Sequence, residues 1–151
     1  MTQGCATMPR AVATATEATK NDVTRDVRAC ISVDSLTLDL LERIGRKYQV
    51  NKSAAANTVI DLYLAKSKVN SELLVAFHQE IWLKAVHQEG RYASARFDLT
   101  EVENDALFVI ARTLFGNSNR SKALRVLVAY FAIEYKLAET HYQGFVIRPI
   151  G

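Results

Sequence analysis

QVNKSAAANTVIDLYL at residues 49–64 and GNSNRSKALRVLVAYF at residues 116–131 are two versions of one pattern: a small polar turn, then an apolar helix ending in aromatic residues. Each copy follows a stretch with the apolar spacing of an amphipathic helix and, before that, a short alternating stretch. A strand-helix-helix unit of this size cannot bury its own apolar face, so two copies in one chain are expected to cover each other.

Working outward from the first copy, Val27, Ala29, Ile31 and Val33 fall on one face of an alternating stretch, and Arg28, Cys30 and Ser32 on the other. That is the pattern of a half-buried strand. Asp34 and Ser35 suit a helix N-cap, and Leu38, Leu41, Ile44 and Tyr48 then predict a first helix over 36–49. Asn51 is expected to cap a second helix, carrying Ala55, Val59, Leu62 and Tyr63 inward and continuing to about residue 68.

In the second copy, Ala93, Ala95, Phe97 and Leu99 share one strand face against Ser94, Arg96 and Asp98. Thr100 with Glu103 forms a capping box, in which each side chain satisfies the other's free backbone N–H. Ala106, Leu107, Ile110, Ala111 and Leu114 predict the helix that follows, stopping at Gly116. Asn117, Ser118 and Asn119 make the turn, and the last helix is expected from Ser121 to about residue 138. With Ser53 and Ser121 aligned, the second turn is one residue longer. Tyr48-Gln49 stand where the second copy has its glycine, which predicts a cap of different geometry.

The chain divides accordingly into a flexible tail (1–24), a first unit (25–69), a connecting amphipathic helix (70–90), a second unit (91–139) and a C-terminal arm (140–151). The connector carries Leu73, Leu74, Phe77, Ile81, Trp82, Ala85 and Val86 at helical spacing. The arm either adds a short strand or packs extended. The expected class is mainly α with one short two-stranded antiparallel ribbon.

A chain of 151 residues suits one medium domain or two very small ones, and its net charge of only +3 means that any nucleic-acid binding rests on locally placed charge. Two cysteines, Cys5 and Cys30, are too few for a disulfide framework or a zinc site, which predicts reduced thiols. With no membrane-span run and no signal-peptide core, a cytoplasmic protein is expected.

The two units resemble the ribbon-helix-helix (Arc/MetJ-like) family of DNA-binding proteins. ISVDSLTLDLLERIGRKYQVNKSAAANTVIDLYL looks like one whole unit, and RFDLTEVENDALFVIARTLFGNSNRSKALRVLVAYF like a second. Asn51-Lys52-Ser53 and Asn119-Arg120-Ser121 carry the most specific part. The tandem arrangement is similar to TraY-like accessory proteins of conjugative relaxosomes, in a prokaryotic, plasmid or viral setting. The resemblance implies an intramolecular pseudo-dimer whose paired strands enter the major groove of double-stranded DNA, a groove wide enough for a two-stranded ribbon.

On that reading Arg28, Cys30, Ser32, Ser94, Arg96 and Asp98 face the bases. Arginine suits a guanine edge, serine donates or accepts, and Asp98 accepts from a cytosine amino group or orients Arg96. Asn51, Lys52, Ser53, Asn119, Arg120, Ser121 and Lys122 lie at helix starts, where free N–H groups and the dipole attract phosphate. Arg43, Arg46, Lys47 and Arg125 are auxiliaries. The plainer reading makes the strand face a solvated surface and Asn51 and Ser121 simple caps.

His78 and His87 stand too far apart for a helical metal pair, and Glu101, Glu103 and Asp105 suit the dipole of a helix start without catalysis. Trp82 either packs on the body or serves an oligomer surface. No nucleophile-base set or phosphate-binding glycine loop is present, so no enzyme, cofactor or metal is expected. The competing reading is a protein-assembly module that docks a relaxase, recombinase or toxin.

Overall fold

Val27–Asp34 (β1) and Tyr92–Leu99 (β2) pair antiparallel in the computed structural model, which describes residues 25–85 and 92–151. The expectations for 1–24 and for Val86 and His87 lie outside the described residues. Register sets Val27 opposite Leu99, Ala29 opposite Phe97 and Ile31 opposite Ala95, so the alternation read from each strand meets its counterpart. Ala29, Ile31, Val33, Phe97 and Leu99 are buried, whereas Ala93, expected on the covered face, is exposed.

Four helices start where their caps lie in the sequence. In Ser35–Tyr48 (α1) the Thr37 N–H donates to the Asp34 carboxylate at 2.9 Å, and in Lys52–Ala65 (α2) the Ala54 N–H donates to Asn51 Oδ1 at 2.8 Å. In the connector Ser67–Phe77 forms α3, and in the second copy Glu101–Phe115 is α4 and Arg120–Glu134 is α5. Thr100 and Glu103 close the capping box on α4, and the Lys122 N–H donates to Asn119 Oδ1 at 3.0 Å on α5. Each such cap stabilises by about 1 kcal/mol.

Two helix ends differ from expectation, each for a local reason. The Asn70 amide donates to the Leu62 and Tyr63 carbonyls at 3.0 and 3.1 Å, which satisfies the last turn of α2 and lets the chain break at Lys66 instead of running to residue 68. The connector therefore starts earlier than 70 and passes into a wider π turn at His78–Trp82. Its Leu74, Phe77, Trp82 and Ala85 are buried, but Leu73, expected inward, is exposed. Similarly, α5 ends at Glu134, where Lys136 adopts a φ of 61° and the Leu137 N–H returns to the Ala132 carbonyl. The C-terminal arm becomes a hairpin of Ala138–His141 (β3) with Val146–Pro149 (β4), a second small sheet that seats Ala138 and Ile147 in the core.

The helices cross between halves. Besides packing on its own neighbour, α2 contacts α4, α5 and β2, while α5 contacts α1 and β1. Helix α5 has a continuous buried run from Val126 to Ala132, as the central element of the core must.

The turn from α1 to α2 corrects another expectation. Gln49 takes a left-handed conformation, φ 60° and ψ 44°, close to the 69° and 23° of Gly116, so the two copies share cap geometry despite the missing glycine. The shorter first turn is accommodated one helical turn earlier, at Gly45, where a Cβ would lie 2.5 Å from the Val50 carbonyl oxygen.

Glu103 links the halves. It is 1% exposed, and its Oε1 accepts from the Thr100 N–H at 2.9 Å and from Asn57 Nδ2, on α2, at 3.0 Å. The same Asn57 amide donates to the Asp98 carbonyl of β2 at 2.9 Å, and Arg25 meets Glu103 Oε2 at 3.1 Å. One carboxylate thus joins α4, α2 and the segment before β1.

Two outcomes follow from this packing. Gly116→Ala is expected to cost about 1 kcal/mol and Gln49→Gly to gain a similar amount, since both sites hold left-handed backbone; urea unfolding of the two variants measures the opposite shifts. Glu103→Ala leaves Arg25 and Asn57 without their acceptor and is expected to cost about 3–5 kcal/mol in the same measurement.

Candidate functional site

The outward face of the ribbon brings together the six residues that alternation placed there. Arg28 stands opposite Asp98, Cys30 opposite Arg96, and Ser32 opposite Ser94. Ser32 and Ser94 are exposed, and 45% of the Arg96 side chain is accessible. Arg96 Nε lies 4.0 Å from Asp98 Oδ1, a loose ion pair without a hydrogen bond. Cys30 differs from expectation: it is held in a disulfide, not free. Two cysteines rule out a framework but suffice for a single bridge, which is why counting them misled. The only other cysteine, Cys5, lies outside the described residues.

A hollow flanks each side of the ribbon, where the start of a second helix meets the other half's strand. The first, of about 460 Å³, is lined by Asn51, Ser53 and Asn57 of α2, by Arg96 and Asp98 of β2, and by Arg25 and Asp61. The second, of about 330 Å³, is lined by Ser32, Trp82, Tyr92, Lys122 and Arg125. Arg125 stacks 4.8 Å from the Tyr92 ring centroid, and its Nε donates to the Ser121 carbonyl at 3.2 Å. Among the described residues, this second hollow is lined by two cations and no carboxylate.

Several of the helix-start residues are occupied by the fold. Asn51 and Asn119 spend their side-chain oxygens on capping, and Ser121 Oγ accepts the Ser32 N–H at 3.0 Å, tying α5 to β1. Arg120 turns toward α4: Nη1 donates to Asn104 Oδ1 at 2.7 Å, and the guanidinium lies 5.0 Å from the Phe108 centroid. Burial lowers its pKa, as expected for a charge taken partly out of water. Lys52, Ser53 and Lys122 remain exposed, with the Lys122 ammonium 5.0 Å from the Phe115 ring.

The auxiliaries divide likewise. Arg43 pairs with Asp39 and donates to the Ile150 carbonyl, Arg46 pairs with Glu42, and Lys47 lies over the Tyr48 and Tyr135 rings. Only Arg125 joins a ribbon flank. Trp82 is buried, as packing on the body requires. His78 is buried against Phe115, and burial together with the charge of Lys122 lowers its pKa.

The carboxyl pair on the first flank was not legible as such. Asp61 Oδ2 stands 3.5 Å from Arg25, which also binds Glu103. Partial burial and a hydrogen bond to Glu103 push the Asp61 carboxyl up to about 7. Burial opposes ionisation of Glu103, but hydrogen bonds from Asp61 and Thr100 and the charge of Arg25 outweigh it and hold its pKa below the usual value. The Asp61 contribution to stability is therefore complete below the ordinary carboxylate pKa and is lost as pH rises toward about 7.

Among the described residues, no group of three His, Cys, Asp or Glu side chains is placed to hold a metal ion, and no helix is long and apolar enough to cross a membrane. No family model, curated protein or solved structure matches this chain.

Arg120 gives a direct check on this division of labour. Arg120→Ala is expected to lower stability by about 1–2 kcal/mol through the lost Asn104 bond and Phe108 contact, measured by urea unfolding, because its guanidinium serves the α4–α5 contact.

Proposed function

We propose that this chain binds double-stranded DNA sequence-specifically, as an intramolecular pseudo-dimer of two ribbon-helix-helix units that lays the β1–β2 ribbon in the major groove. Its role is that of a transcriptional regulator or of an accessory, architectural factor in a relaxosome-like complex. The observation that carries the reading is the outward ribbon face, where Arg28, Ser32, Ser94 and Arg96 lie between two flanking helix starts.

A two-stranded ribbon fits the groove, and arginine and serine are suited to base edges there. Exposed Lys52 and Ser53 on one flank, and Lys122 with Arg125 on the other, supply phosphate contacts beside the positive dipole ends of α2 and α5. Cys30, occupied by its disulfide, and Arg120, occupied by Asn104, are left out of the contact set. Because the two strands carry different residues, the target is expected not to be a perfect palindrome.

Assembly on a protein partner is the second reading, favoured by a groove where Val69 and Leu73 are exposed beside Tyr130 and Tyr135. Selection from a random duplex pool, followed by titration of each variant at several salt concentrations, separates the two. Arg28→Ala and Arg96→Ala are each expected to lose about 1–3 kcal/mol for the selected site while keeping random-duplex affinity. Lys122→Ala combined with Arg125→Ala weakens all sequences alike and reduces the salt slope by about 2. Absence of duplex binding even at low salt rejects the DNA reading in favour of assembly.

A further inference from the structure

The two ribbon flanks occupy equivalent places in the two copies but carry different chemistry. Aligned on Ser53 and Ser121, Asn57 corresponds to Arg125 and Asp61 to Ala129; aligned on the helix caps Asp34 and Thr100, Asp98 corresponds to Ser32. Among the described residues, the α5 flank therefore holds Lys122 and Arg125 with no carboxylate in its lining, whereas the α2 flank sets Arg25 and Arg96 against Asp61 and Asp98.

Within the α2 flank one guanidinium serves two carboxylates. Arg25 Nη2 lies 3.1 Å from Glu103 Oε2 and 3.5 Å from Asp61 Oδ2. Glu103 is buried and accepts from the Thr100 N–H and Asn57 Nδ2, an arrangement that favours its ionised form. Asp61 is the accessible member, with 53% of its side chain exposed, and opens onto the hollow beside Arg96 and Asp98. A proton taken up by the pair is therefore held on Asp61 and shared toward Glu103.

We propose that the Asp61–Glu103 pair is a proton switch on the α2 flank, which accepts duplex phosphates when Asp61 is protonated and repels them when it is ionised. This rests on the DNA-binding reading above. Among the described residues, the charged groups facing Asp61 come from three places: Arg25 before β1, Arg96 and Asp98 on β2, and Glu103 on α4. Loss of the proton adds a negative charge to a flank whose described lining sets two guanidinium groups against Asp61 and Asp98, while the described lining of the α5 flank keeps Lys122 and Arg125 throughout. The upward displacement of the Asp61 carboxyl to about 7 puts the change near neutrality.

The test is random-duplex affinity at low salt for the full chain and for Asp61→Asn, whose amide reproduces the donor of a protonated carboxyl. Between about pH 6 and about pH 8, the unaltered chain is expected to lose about fivefold in affinity, the effect of one nearby charge screened by water. Asp61→Asn is expected to hold the higher affinity across that range. Binding by both proteins with the same pH slope overturns the switch alone. Absence of duplex binding by either at both pH values overturns the DNA reading and the switch with it. Carboxyl NMR adds a readout without DNA: an Asp61 midpoint in the ordinary carboxylate range also overturns the switch.

Discussion

Among the described residues, strands β1 and β2 pair only with each other, although α1, α2 and the connector separate them in sequence. A two-stranded ribbon is marginal in water by itself, so its existence depends on covering the apolar face made by Ala29, Ile31, Val33, Phe97 and Leu99. The cover comes crosswise, with α2 against β2 and α5 against β1. Neither half can be completed without the other. The same crossing leaves the opposite ribbon face outward and places a helix start at each of its sides.

Polar anchors reinforce the crossing, one on each flank, and they are unequal. On one side Ser121 takes the Ser32 N–H; on the other, buried Asn57 and Glu103 bridge α2, β2 and α4. A buried carboxylate is tolerated only when its acceptor sites are filled, and Thr100, Asn57 and Arg25 fill those of Glu103. The cost of that arrangement is a second carboxyl, Asp61, whose proton becomes easier to keep. The anchor that stabilises the α2 flank is thus also what makes its charge depend on pH.

Much of the fold was legible because the signals are local. Strand alternation, the caps at Asp34, Asn51 and Thr100, and the stop at Gly116 all involve groups within a few residues of one another, whereas the cap of α5 is Asn119, not Ser121, whose hydroxyl is drawn to Ser32 of β1. The left-handed cap at Gln49 was misread because residue type alone suggested that a glycine was needed, while the compensating close approach lies at Gly45. The early end of α2 depended on Asn70, an amide with no periodic signature. The hairpin after α5 follows from the left-handed residues Lys136, Tyr142 and Gln143, which composition does not announce.

By itself the sequence determined the elements, their caps and the two faces of each strand, since periodicity and capping are settled by neighbours along the chain. Only the tertiary structure decided which polar groups are free for function and which hold the fold. Ser121 is taken by a residue 89 positions away, and Glu103 by one 46 away. Arg120, expected to meet phosphate, is turned instead to Asn104 of α4, and Asp61, which the sequence did not single out, meets Glu103 of the same helix. Hydrogen bonding and charge are satisfied by whichever partner is nearest in space, and that partner has no fixed spacing in sequence.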